Sequence, residues 1–247
     1  MLSTVLSSGC SDAAGLAGNL FAFVLFVSPI PTFRRIIRNQ STEQFSELPC
    51  IYALLNCLIC LWYGMPFVTP GVILVATVNS IGAAFQLIYA IIFIIYADKS
   101  KKLRMSALLI AVFAFFGMVV FVSLRFLETH LRQMVVGYLS VFSLISMFAS
   151  PLFIINLVIK TQSVEYMPFY LSLSTFLTSL SFSTYGVLKF DPFLYVSMFL
   201  QVEHLRINVY LTRRSDRKGR CCSLYLFIHT FLLGKYRYQM ELEQFWG

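Results

Sequence analysis

The chain has 247 residues, 58% of them hydrophobic and only 12% charged, with a formal net charge of +8. A soluble domain carries about 25% charged residues, so the composition excludes an ordinary soluble enzyme. It points to an all-α integral membrane protein with room for six or seven spans of about 20 residues each. The positive charge falls in loops and the tail, where it sets topology, and no nucleic acid is expected as a partner.

No cleavable signal peptide is expected, because the N-terminus lacks Lys and Arg and no small-residue cleavage site is obvious. Six apolar segments follow in order, at residues 15–37, 48–69, 72–96, 105–127, 134–159 and 168–189. A seventh, 192–212, begins as Pro192-Phe193-Leu194-Tyr195-Val196 and then carries Gln201, Glu203, His204, Arg206 and Asn208. Glu or Arg near a helix centre costs on the order of 2.5–3.5 kcal/mol for insertion. The later run from Cys221 to Gly234 is too short for a comfortable span. Whether 192–212 crosses the membrane stays open at this point; the basic residues after it favour a crossing and its own charges oppose one.

The chain repeats itself. Ser28-Pro29, Gln40-Ser41, Glu43, Leu55, Leu58 and Tyr63-Gly64 recur 122 residues later as Ser150-Pro151, Gln162-Ser163, Glu165, Leu177, Leu180 and Tyr185-Gly186. Ten of 37 aligned positions are identical without a gap. Repeated membrane halves are a recurrent transporter plan. The expected architecture is 3+1+3: a first three-helix repeat at 15–96, a linker helix at 105–127, a second repeat at 134–212 and a basic tail at 213–247. An odd spacer makes the two repeats parallel. Arg34, Arg35, Arg38, Lys99, Lys101, Lys102, Arg104 and Lys160 fall on one side, against Arg125, Arg132 and Lys189 on the other. The richer side is expected in the cytosol, with the N-terminus on the non-cytosolic side.

Soluble-type enzyme motifs are absent: there is no P-loop, GxGxxG, HExxH or GxSxG. Cys57 and Cys60 share a helix face, but no His or carboxylate lies near them to complete a metal site. No confident span has a central acidic residue of the kind proton-coupled carriers use, which suits a passive carrier of a neutral solute. Pro29, Pro49, Pro151 and Pro168 are backbone devices, either hinges or, for Pro49 and Pro168, helix starts. Tyr63 and Tyr185 close their spans as interfacial belt residues or as a gate, with Asp191 placed to accept a tyrosine hydroxyl. Asn79, mid-span in 72–96, with Asn56 in the second span and Gln86 two turns further on, is either interhelical glue or a ligand for a polar solute, its amide suiting sugar hydroxyls.

Taken together, these motifs resemble the plant SWEET sugar transporters. The resemblance rests on Ser28-Pro29-x-x-x-Phe33, Asn39-Gln40-Ser41-Thr42-Glu43-Gln44-Phe45, Leu54-Leu55-Asn56-Cys57, Trp62-Tyr63-Gly64 and Thr77-Val78-Asn79. The second half adds Ala149-Ser150-Pro151-Leu152, Lys160-Thr161-Gln162-Ser163-Val164-Glu165-Tyr166-Met167-Pro168-Phe169 and Asp191-Pro192-Phe193. It implies the 3+1+3 plan, of which this family is itself a known example. It also implies facilitated, bidirectional flow of a glucose-like monosaccharide by alternating access, in a vacuolar or plasma membrane. The family's proline tetrad falls on Pro29, Pro49, Pro151 and Pro168. Its substrate positions fall on Asn79, Cys60 and Phe182, to which Asn56 and Thr178 are added. Its outer gate falls on Tyr63, Tyr185 and Asp191. After Val196 the likeness is expected to stop: the second substrate asparagine would stand at Met198, and transport would be weakened.

The leading expectation is therefore a sugar uniporter, without cofactor or metal. Its partners would be the sugar substrate, the lipid bilayer and related transporters in a homo- or hetero-oligomer. The alternative is a non-transporting isoform that assembles with intact relatives. A seven-span receptor is opposed by the repeat, and an intramembrane hydrolase by the lack of Ser–His or paired-Asp chemistry.

Overall fold

The computed structural model describes residues 2–42, 45–161, 169–194 and 196, with side chains described for 9–42, 45–146, 174–194 and 196. Every regular element among them is a helix: α1 (Leu2–Val27), α2 (Ile30–Asn39), α3 (Leu48–Tyr63), α4 (Ile73–Tyr96), α5 (Lys99–Phe126), α6 (Thr129–Thr161) and α7 (Phe169–Leu188). Among the described residues, Gly9–Asn39, Ile73–Tyr96 and Lys99–Phe126 are long and apolar enough to cross a membrane, and Leu48–Tyr63 is a shorter apolar helix.

The prolines leave different marks on the backbone. Pro29 and Pro31 cannot donate to the helical ladder, and the helix breaks between α1 and α2. At the break the Phe26 carbonyl accepts the Tyr89 hydroxyl at 2.6 Å, and the Phe33 ring stacks on Tyr89 with centroids 4.4 Å apart. Pro49 stands in the first turn of α3, where a missing N–H costs nothing. Helix α6 runs on through Ser150 and Pro151 without ending. Pro168 lies outside the described residues.

Helix α4 packs between α1 and α3, and α5 lies against α3 and α4. Two contacts fasten α5 to the start and end of α3. Arg104 approaches the buried Glu47 carboxylate at 3.4 Å, and the Trp62 indole donates to Ser123 Oγ at 3.0 Å. The repeats meet along two seams, α1 against α7 and α3 against α6. The first span of each repeat thus meets the second span of the other, the pattern that a two-fold relation between like units produces.

Close approach at two of the glycines bears on how the helices meet. A Cβ on Gly64 would lie 2.5 Å from the Ala76 backbone nitrogen, so α3 ends against the α4 backbone. A Cβ on Gly18 would lie 2.8 Å from the Phe182 ring, so this turn of α1 stays open for the ring. Small residues at helix contacts are the usual device for close packing in lipid, where burial against apolar chains gives little drive.

The apolar core divides in two. One cluster crosses between the repeats and includes Ala22, Tyr63, Val75, Val136, Phe182 and Tyr185. The other lies within the first repeat and the linker helix and includes Ile36, Leu54, Ala90, Phe93 and Met105. Large apolar side chains such as Ile95, Ile110 and Phe121 point outward, as expected where the surrounding solvent is hydrocarbon.

Candidate functional site

A cavity of about 350 Å³ lies between the repeats. Asn56, Cys60, Asn79, Thr178 and Phe182, spread over more than half of the chain, all line it. Gln86, Ser140 and Thr175 add polar groups, and Phe26 and Phe193 add rings. No charged side chain stands among the described lining residues.

Hydrogen bonding decides what each polar group can offer. Asn79 Nδ2 donates to the Val75 carbonyl of its own helix at 2.8 Å. Its carbonyl oxygen and second N–H remain for a ligand. Asn56 is the residue that joins helices, since its Oδ1 accepts the Ser143 hydroxyl of α6 at 2.9 Å and the Cys60 thiol at 3.7 Å. Its amide N–H groups are left over. The Thr178 hydroxyl donates to the Ser174 carbonyl at 2.8 Å, and the Ser140 hydroxyl to Gly137 at 2.7 Å. Both oxygens therefore act toward a ligand as acceptors. Phe182 packs edge-on to Tyr185, with centroids 6.4 Å apart, and a ring face is a platform for C–H groups.

At the end where α3 and α7 terminate, the two repeats are bonded together. Tyr63 is buried, and its hydroxyl donates to both oxygens of the buried Asp191 carboxylate at 2.8 Å. The backbone turn after α7 sets this up. Phe190 adopts φ +55°, a conformation that costs an ordinary L-residue about 1–2 kcal/mol. The turn returns the Asp191 amide to the Gly186 carbonyl at 2.9 Å. Asp191 then accepts the backbone N–H groups of Phe193 and Leu194 at 3.0 and 3.1 Å. Tyr185, likewise buried, donates to the Gly71 carbonyl at 3.1 Å. The repeat-related tyrosines thus each reach across to the opposite half.

Three further residues at this end carry no mark in the sequence beyond loop charge. Lys189 Nζ lies 3.5 Å from Asp12 Oδ1 and 5.7 Å from the Tyr185 ring centroid. Arg132 donates to three carbonyls, those of Ser123 at 2.8 Å, Phe67 at 2.9 Å and Leu127 at 3.0 Å. For Lys189 and Arg132 the only prior hint was their place among the few basic residues on the sparsely charged side; Asp12 had none.

Comparison with known proteins gives the family. A family model described as sugar efflux transporter for intercellular exchange matches residues 12–101 and 134–213. The two stretches begin 122 residues apart, the offset of the repeat, and the unmatched interval holds most of α5. The second stretch extends past Val196 to residue 213. The bidirectional sugar transporter SWEET2a of Sorghum bicolor is 68% identical over 215 residues, covering 85% of this chain and 88% of the relative. The bidirectional sugar transporter SWEET2 of Arabidopsis thaliana is 58% identical over 212 residues, covering 84% and 90%. A solved structure of a eukaryotic SWEET transporter superposes with a TM-score of 0.79 at 50% identity, covering 85% of this chain and 98% of that one. With the repeat, the cavity between its halves and these matches in hand, the chain belongs to the SWEET family of membrane sugar transporters.

Proposed function

We propose that this chain carries a glucose-like monosaccharide across a membrane in both directions, by exposing one cavity alternately to either side. The observation that carries this reading is the cavity lining. Amides and hydroxyls surround it, aromatic rings flank it, and no described lining residue is charged. A sugar offers both donors and acceptors, and its ring presents C–H groups that pack on an aromatic face. At about 350 Å³ the space is at the small end of ligand sites, which favours one sugar ring over two. The described lining residues are amides, hydroxyls, a thiol and apolar groups, which suits flow down the sugar gradient.

The site roles follow from position. Asn79, Asn56 and Thr178 bond the hydroxyls, Phe182 stacks, and Cys60 sets the width opposite Phe182. Tyr63, Tyr185 and Asp191 close one end, and the prolines at 29, 151 and 168 give their spans freedom to rock, while Pro49 starts α3. The end bearing Arg34, Arg35 and Arg38 faces the cytosol and the Asp191 end faces the vacuolar lumen or the cell exterior, with the N-terminus on that side. Assembly with further copies or with related transporters supplies lateral partners within the bilayer.

Reconstituted protein in sealed liposomes tests this. Labelled glucose should equilibrate in either direction, and excess unlabelled glucose on the far side should drive transient counterflow. Collapsing a proton gradient should change neither. Absence of counterflow with folded, inserted protein, or a requirement for a proton gradient, would overturn the reading.

A further inference from the structure

Among the described residues, four polar contacts between the repeats stand out at the Asp191 end. Two are the tyrosine bonds. The other two are ionic or charge-assisted, and each lies on one of the two seams between the repeats. On the α1–α7 seam, Lys189 meets Asp12 at 3.5 Å. Its ammonium also lies over the ring of Tyr185, whose hydroxyl holds the Gly71 carbonyl. On the α3–α6 seam, Arg132 of α6 reaches the Phe67 carbonyl in the loop after α3. Its other two bonds, to Ser123 and Leu127 at the end of α5, fix the guanidinium in place. A cation is favoured at that helix C-terminus, and the planar fork allows three carbonyls to be held at once. Neither Lys189 nor Arg132 lines the cavity.

We propose that Lys189 and Arg132 are positioning residues of the closure, Lys189 latching the α1–α7 seam through Asp12 and Arg132 latching the α3–α6 seam through the Phe67 carbonyl. The cavity opens at this end only when both are released. They act on the balance between closed and open forms, not on sugar affinity in the cavity. This rests on the alternating-access reading, and the test below reads conformation without sugar, so the failure of either is distinguishable.

The test uses full-length protein in lipid nanodiscs, with the native cysteines kept and the labels attached through non-natural amino acids. Nitroxides at Phe67 and Phe190, both exposed and in opposite halves, report the opening by electron–electron distance. Lys189→Gln and Asp12→Asn should each raise the fraction of long distances about two- to five-fold, the range expected for a partly exposed ion pair with a ring contact. The charge swap Asp12→Lys with Lys189→Asp should return it toward the native value. Raised ionic strength should open the native protein and leave Lys189→Gln unmoved. Arg132→Gln should open the other seam, and Arg132→Lys should do so less. Unchanged distances in Lys189→Gln or in Arg132→Gln would overturn the proposal. A shift that the swap fails to reverse would do the same, because a merely damaged fold is not repaired by exchanging two charges.

Discussion

Replacing Tyr63 by Phe removes one oxygen and keeps the ring. The ring is buried and meets Phe193 edge-on with centroids 6.0 Å apart, so packing changes little. The Asp191 carboxylate, 5% exposed, loses its only described side-chain partner and keeps the N–H groups of Phe193 and Leu194. A hydrogen bond to a charged group contributes roughly 1.5–3 kcal/mol. Separation of α3 from the α7 end would break this bond in the native chain, so its removal should act on the closed–open balance. That corresponds to roughly a ten- to 150-fold rise in the open population. Hydrogen exchange is the assay: protection of the Phe193 and Leu194 amides should fall by about ten-fold or more, while amides in the middle of α4 keep theirs. Wild-type protection at both amides, in a folded Tyr63→Phe protein, would refute the assignment of this bond to the closure.

Asn79→Ala should leave α4 intact, since only an intrahelical bond to Val75 is lost, and should weaken glucose binding about five- to a hundred-fold by calorimetry or equilibrium exchange. Gly18→Val places a branched side chain where even a Cβ would lie 2.8 Å from the Phe182 ring; it should lower thermal stability by about 1–3 kcal/mol and cut counterflow in proportion to the displaced ring. Met198→Asn replaces a weak thioether acceptor by an amide with two donors; uptake of labelled glucose per protein at the membrane should rise, and equal uptake would show that the first asparagine suffices.

The sequence alone determined what depends on composition and on order along the chain. Few charges and long apolar runs require a bilayer, because every backbone group in those runs must be satisfied within a helix. The 122-residue offset fixed the existence and parallel sense of two like halves, and it pairs Asn56 with Thr178, Cys60 with Phe182 and Tyr63 with Tyr185. The sequence marked Pro29 as a backbone device within one apolar segment, and only the structure showed that the helix ends there and α2 begins. The same Ser-Pro step did not tell whether α6 would break, and it does not.

Which side chains meet across the seams was decided only by the tertiary structure. Lys189 and Asp12 are separated by 177 residues, and no periodicity of either helix selects one for the other. Arg132 binds backbone carbonyls, which every residue possesses, so no partner residue type could announce it. Asn79 and Asn56 read alike as mid-span amides. Packing gave Asn56 the hydroxyl of Ser143 on a neighbouring helix and left Asn79 bonded within its own. Gly18 is an ordinary small residue until α7 brings the Phe182 ring against it. Helix-forming and membrane-crossing tendencies are local and additive, so they can be read along one dimension. Seam contacts depend on how two bundles rotate against each other, and only the packed chain fixes that rotation.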